Sequence, residues 1–189
     1  MGDCILEHQG QILLRMARET IGEKLGIAGT RRRDDDTAFL NNKQGLFVTL
    51  HKQGALRGCI GSIEPVKPLG ESICNNALFA AFSDTRFSPL TVEEFHEVDI
   101  EVSLLSVPQP LEFTTPEELV AQLKPGIHGV ILKKGGAGAT FLPQVWEQLP
   151  GCEDFLGRLC MKAGLSSTAW KKERLAVHTY EVQCFAEVP

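Results

Sequence analysis

The sequence predicts an α+β fold, a largely antiparallel β-sheet flanked by helices, and three observations carry that expectation. Residues 46–61 and 126–142 each read as a hairpin, two runs with apolar positions joined by a glycine-containing turn. Residues 98–107 and 175–187 alternate side chains with the period of a strand buried on one face. Helical stripes interrupt these hairpins and single strands, the order expected when helices pack on an antiparallel sheet.

Ile5, Ile12, Leu13, Met16, Ala17, Ile21 and Leu25 form one stripe of a helix over 5–25, with Gly26 at its end. Residues 29–44 are polar and read as an irregular connection, in which Arg31-Arg32-Arg33 is cancelled by Asp34-Asp35-Asp36. After the first hairpin, Pro65 and Pro68 break the chain, and residues 69–83 read as a second helix. Its small apolar side chains, Ala77, Ala80 and Ala81 among them, suit close packing on a sheet. Asp84-Thr85-Arg86-Phe87-Ser88-Pro89 is a turn. Thr91-Val92-Glu93-Glu94 is a capping box that opens a short helix to His96. Strand 98–107 stops at Pro108 and Pro110, and Thr115-Pro116-Glu117-Glu118 caps a helix over 116–123. The second hairpin turns at Gly135-Gly136-Ala137-Gly138. That cluster lacks the following Gly-Lys-Ser/Thr and the helix of a phosphate loop, so it reads as a hairpin tip. Helices follow from Pro143, with Trp146, and over 153–163. The strand 175–187 then returns to the sheet begun by the first hairpin.

The first hairpin holds the chemistry. Its returning arm is Leu56-Arg57-Gly58-Cys59-Ile60-Gly61, and glycine weakens a strand interior, so Gly58 and Gly61 imply that something approaches closely there. Alternation puts Arg57, Cys59 and Gly61 on one face, with Leu56, Gly58 and Ile60 on the other. A guanidinium beside a thiol favours the thiolate, the reactive form. His51 depends on the turn. A two-residue turn at Gln53-Gly54 pairs it with Leu56 and faces it away from Cys59, whereas a three-residue turn gives it the cysteine's face.

Composition sets limits. The 189 residues carry 19 Lys and Arg against 24 Asp and Glu, a formal charge of −5 that speaks against a nucleic-acid partner. No apolar run approaches the roughly 20 residues of a membrane span, and no secretory signal opens the chain. Six cysteines are scattered without a C-x-x-C pair, which reads as reduced thiols in a cytoplasmic protein without structural zinc.

The hexapeptide Leu-Arg-Gly-Cys-Ile-Gly is the signature of the AMMECR family, and the chain resembles that family in further blocks in the same order. These are Asp84 to Pro89, Ile127-His128-Gly129-Val130, Thr140 to Val145, and Lys162-Ala163-Gly164-Leu165 with Trp170. The resemblance spans nearly the whole chain as a single domain. It implies two unequal lobes, the larger holding both termini, and brings no established reaction. Prokaryotic relatives are associated with a Memo-like protein and a radical-SAM protein, which implies a shared pathway. The chain has no three-cysteine cluster motif and no cofactor is expected of it.

Two functional readings stand side by side. In one, Cys59 is the nucleophile of an enzyme acting on a small anionic molecule, with His128 as base and Arg57 and Arg86 holding negative charge. In the other, the hexapeptide is a non-catalytic ligand or protein docking surface, and Cys59 is a core thiol. Arg57 is an anion clamp or a salt bridge to a carboxylate such as Asp84 or Glu64. Asp84 is a polar edge of the site or a self-bonding turn residue paired with Arg86.

Overall fold

The computed structural model describes residues 5–27 and 37–187. The Arg31–Asp36 charge run lies outside the described residues. In chain order the elements are α1 (Glu7–Lys24), β1 (Leu46–Lys52), β2 (Ala55–Ser62), α2 (Leu69–Phe82), α3 (Val92–Phe95), β3 (Val98–Leu105) and β4 (Gln109–Pro110). They continue with α4 (Pro116–Gln122), β5 (Gly129–Lys134), β6 (Ala137–Phe141), α5 (Cys152–Lys162), α6 (Ala169–Lys172), β7 (Ala176–Tyr180) and β8 (Val182–Ala186). Short 3-10 turns occupy Ala38–Asn41 and Pro143–Glu147. The fold is α+β, with two four-stranded sheets in which every registered pair is antiparallel.

The chain divides into two compact units, Met1–Ser106 with Gln183–Pro189, and Val107–Val182. The first unit carries the sheet ordered β2-β1-β3-β8. Leu46, Val48 and Leu50 of β1 pair with Leu104, Val102 and Ile100 of β3, so one face of the sheet is continuous hydrocarbon. Ile12, Leu13, Ala17 and Ile21 of α1 and Ile73, Ala77 and Ala80 of α2 belong to the same core. Such burial supplies most of the stabilisation of a helix-on-sheet layer. The stripe that predicts α1 is therefore the stripe it buries. Gly26, at φ 76°, ends the helix as expected, with Ile27 N–H on Gly22 O and Gly26 N–H on Glu23 O.

The second unit carries the sheet ordered β4-β7-β5-β6. Its core joins Val130, Leu132 and Val177 to Phe155, Leu156 and Leu159 of α5, with Trp146 stacked on Phe155 at 3.6 Å between ring centroids. Among the described residues no helix is long and apolar enough to cross a membrane.

Three expectations need correction. Residues 175–187 are not one strand: the alternation runs on through Glu181, but β7 belongs to the second sheet and only β8 returns to the first. The segment after that strand is not without pairing: β3 stops at Leu105, ahead of Pro108 as expected, but Gln109 and Pro110 form the edge strand β4 against Thr179 and His178. An edge tolerates proline, whose missing N–H costs no ladder bond there. The second face of strand 98–107 is not uniformly solvated either, since Ser103 and Leu105 are buried.

Candidate functional site

The first hairpin closes through Gln53 and Gly54, with φ of 53° and 76°. Positive φ at both central residues makes this the two-residue turn whose twist suits a hairpin. His51 consequently pairs with Leu56. One position further on, the register shifts: Leu50 pairs with Gly58, which leaves Arg57 as an extra, bulged residue. The bulge changes two expectations. His51 does not face away from Cys59. It shares a face of β1 with Thr49, whose cross-strand partner is Cys59, and its Nε2 is 3.8 Å from Glu101 Oε2.

Arg57, for its part, is turned away from the alternation that would put it beside the thiol. Its Nε and Nη2 donate to Glu94 at 3.2 and 2.8 Å, and Nη2 also donates to Ser88 O at 2.9 Å. The Arg57 hydrogen bonds, with help from Lys52, lower the Glu94 pKa to about 2. Arg57 is buried, and its Nη1 has no hydrogen-bond partner among the described residues. The partner of Arg57 is therefore Glu94, not Asp84 or Glu64. Sequence reasoning missed Glu94 because the capping pattern already gave it a task. Only half of that box forms: Glu94 N–H donates to Thr91 Oγ1 at 3.3 Å, while the carboxylate reaches Arg57.

The two glycines are required by the protein's own packing. A Cβ on Gly58 would stand 2.2 Å from Ala80 O of α2, and one on Gly61 would stand 2.3 Å from Leu46 O and 2.4 Å from the Phe47 ring. The close approach is real, but helix backbone and an aromatic ring occupy it.

Asp84 ties the site together. Its buried carboxylate accepts the Cys59 N–H at 2.9 Å and the Arg86 N–H at 3.2 Å. It also takes both edges of the Arg86 guanidinium, Nε at 2.9 Å and Nη2 at 2.7 Å. The Arg86 hydrogen bonds hold the carboxyl well below the usual carboxylate range, and burial opposes them less strongly. Arg86 in turn is held protonated more firmly than usual, first by Asp84 and more weakly by charge attraction to Cys59. Its side chain remains 54% exposed. Phe87 underlies both cations, with Arg86 Cζ 5.5 Å and Arg57 Cζ 5.7 Å from its ring centroid. The Cys59 sulfur, half-buried, receives the Thr49 hydroxyl at 3.2 Å.

Of the residues singled out from sequence, the structure brings together Cys59, Asp84 and Arg86, framed by Gly58, Gly61 and the Arg57–Glu94 pair. His128 belongs to the second unit. Its Nδ1 accepts the Lys124 N–H at 3.3 Å, and Trp146 Nε1 donates to its carbonyl at 2.7 Å. Burial, then the nearby Lys124 charge, lowers its pKa, and because Nδ1 accepts the Lys124 N–H the neutral ring carries its proton on Nε2. In that tautomer the outward nitrogen is a donor. His128 lines a cleft of about 540 Å³ with Lys124 and Thr179. Among the described residues no three His, Cys, Asp or Glu side chains are grouped to hold a metal ion.

The chain is a two-unit α+β protein with a cysteine in a bulged hairpin, braced by an aspartate from the turn after α2. The chain belongs to the AMMECR1 family, whose model matches residues 14–185. A protein of Methanothermobacter thermautotrophicus is 39% identical over 95% of this chain and 94% of its own length. One of Methanopyrus kandleri is 37% identical over 99% and 92%. The crystal structure of an uncharacterized Pyrococcus horikoshii protein superposes with a TM-score of 0.83 at 36% identity, covering 97% of this chain and 93% of the other.

Proposed function

We propose that the Cys59 site takes a small anionic molecule and that Cys59 is its nucleophile. One observation carries the reading: the Asp84 carboxylate holds the Cys59 main-chain N–H and the exposed Arg86 guanidinium at the same time. Thiol and cation are thereby fixed to one brace. Arg86 pairs with the carboxylate or phosphate of the ligand and holds it beside the Cys59 sulfur, the nucleophile of this reading. Thr49 orients the sulfur. Arg57 supports the turn through the Ser88 carbonyl, and His128, a donor at its outward nitrogen, is not assigned as base. The setting this reading assumes is a cytoplasmic pathway shared with Memo-like and radical-SAM proteins, on the strength of the resemblance alone.

A second reading, a binding or regulatory module without chemistry, is favoured by one fact. The hydrogen-bond partner of Cys59 Sγ among the described residues is a hydroxyl and not a base. Alkylation separates the two. Burial pushes the thiols of Cys152 and Cys160 up, which slows their reaction as thiolates. Native protein treated with iodoacetamide and read by peptide mass spectrometry is expected to label Cys59 well ahead of these two. Labelling of Cys59 only on unfolding would sink the nucleophile and leave the binding module.

A further inference from the structure

We propose that a second site, carried by the Val107–Val182 unit alone, binds a small polyphosphorylated molecule. The site is a cleft of about 960 Å³ at the start of β7, floored by residues 174–178 and walled by residues 110–116 and the hairpin tip at 133–135. That volume falls within the roughly 300–1,000 Å³ usual for small-molecule sites. Its charge runs against that of the chain. Lys133, Lys134, Lys171, Lys172 and Arg174 line it against Glu112 and Glu173, in a protein of formal charge −5.

Internal pairing does not use up this charge. Lys134 pairs with Glu173, and Lys171 pairs with Glu153 while lying over the Trp170 ring. Lys172 and Arg174 are exposed, and neither side chain has an ion pair or hydrogen bond among the described residues. A second observation is independent of the charge: His178, on the floor, has a buried Nδ1 with no hydrogen-bond partner among the described residues. That nitrogen is closed to solvent, so the cationic lining, and not His178, is what a ligand meets first.

Five cations from two separate segments, residues 133–134 and 171–174, line one concavity, which suits charge spread over several phosphate groups rather than a single carboxylate. The walls on both sides of β7 bound that charge, and the net acidity of the chain opposes a long nucleic-acid backbone. A phosphorylated small molecule fits both facts.

The test is isothermal titration of the full chain with sodium tripolyphosphate at about 0.15 M salt, a concentration at which weak surface attraction is largely screened. Saturable binding at one site per chain is expected. Lys172→Ala and Arg174→Ala should each weaken it by about tenfold, the loss of one charge-assisted hydrogen bond. Both positions are exposed, so the variants should fold, which circular dichroism checks. His178→Asn, which keeps a short side chain able to donate a hydrogen bond, should weaken binding less than Arg174→Ala. Absence of saturable heat, or unchanged affinity in both alanine variants, would overturn the proposal. So would binding of a single-stranded oligonucleotide, lost in the same variants, that is tighter than that of tripolyphosphate. That outcome would assign the cleft to a nucleic-acid backbone.

Discussion

Replacing Asp84 tests the brace. The residue is 6% exposed, and its carboxylate accepts from the Cys59 N–H, the Arg86 N–H and both edges of the Arg86 guanidinium. Removing one partner of a fully buried ion pair costs about 3–5 kcal/mol. Arg86 is half exposed and can turn to water, so that figure is an upper bound here. What stays behind is the main-chain N–H of Cys59, and an unsatisfied buried donor costs about 1–3 kcal/mol. Asp84→Ala should therefore lose about 2–4 kcal/mol in urea unfolding, and Asp84→Asn, which keeps an acceptor, about 1–2 kcal/mol. Amide exchange at Cys59 should speed up in step. The pH dependence has a definite sign. The folded carboxyl titrates below its unfolded value, so its stabilisation is complete above the unfolded value and is lost only as pH falls through the folded one. The gap between wild type and Asp84→Asn should thus persist at pH 4, roughly the ordinary aspartate pKa. A loss under about 0.5 kcal/mol, the range of an ordinary surface substitution, would refute the brace.

Further outcomes follow from the same geometry. Gly58→Ala drives a Cβ against the Ala80 carbonyl and should cost at least ~2 kcal/mol in urea unfolding. Gly136→Ala, with no atom within 4 Å, should stay within about 0.5 kcal/mol of wild type. Glu94 titrates at about 2 in place of 4.5, so its stabilisation is complete above the higher value and lost as pH falls between the two. Glu94→Gln should flatten the acid limb of a stability profile across that window. Trp146→Phe keeps a ring against Phe155 but loses the bond to the His128 carbonyl, and should lower stability by about 1 kcal/mol, read by thermal unfolding.

Much of this was legible in the sequence, for a physical reason. Periodicity reports which face of an element meets the core, and α1, α2 and the first hairpin are defined by that face. What alternation cannot report is a change of partner. Tyr180, Glu181 and Val182 continue one polar and apolar rhythm while the chain passes from one sheet to the other. Nor can it report a bulge, and Arg57 is the instance: one extra residue moved its guanidinium from the thiol to Glu94. Arg86 takes the place beside Cys59 that spacing gave to Arg57. Cys59, Asp84 and Arg86 were legible as candidates from the hexapeptide and the turn, but the bond between Cys59 N–H and Asp84 spans 25 residues and no local pattern encodes it. The basic cleft was hidden more thoroughly. Its lysines come from segments far apart in the chain, and the acidic total conceals them.

The most direct measurement compares alkylation of Cys59 by iodoacetate and by iodoacetamide, reagents alike in size and different in charge. With Arg86 poised beside the thiol, the anionic reagent should gain on the neutral one at Cys59 relative to Cys74 in the same protein. Arg86→Gln should erase that gain while leaving the iodoacetamide rate at Cys74 unchanged. Equal preference at both cysteines, or a preference that survives Arg86→Gln, would contradict a site prepared for an anion.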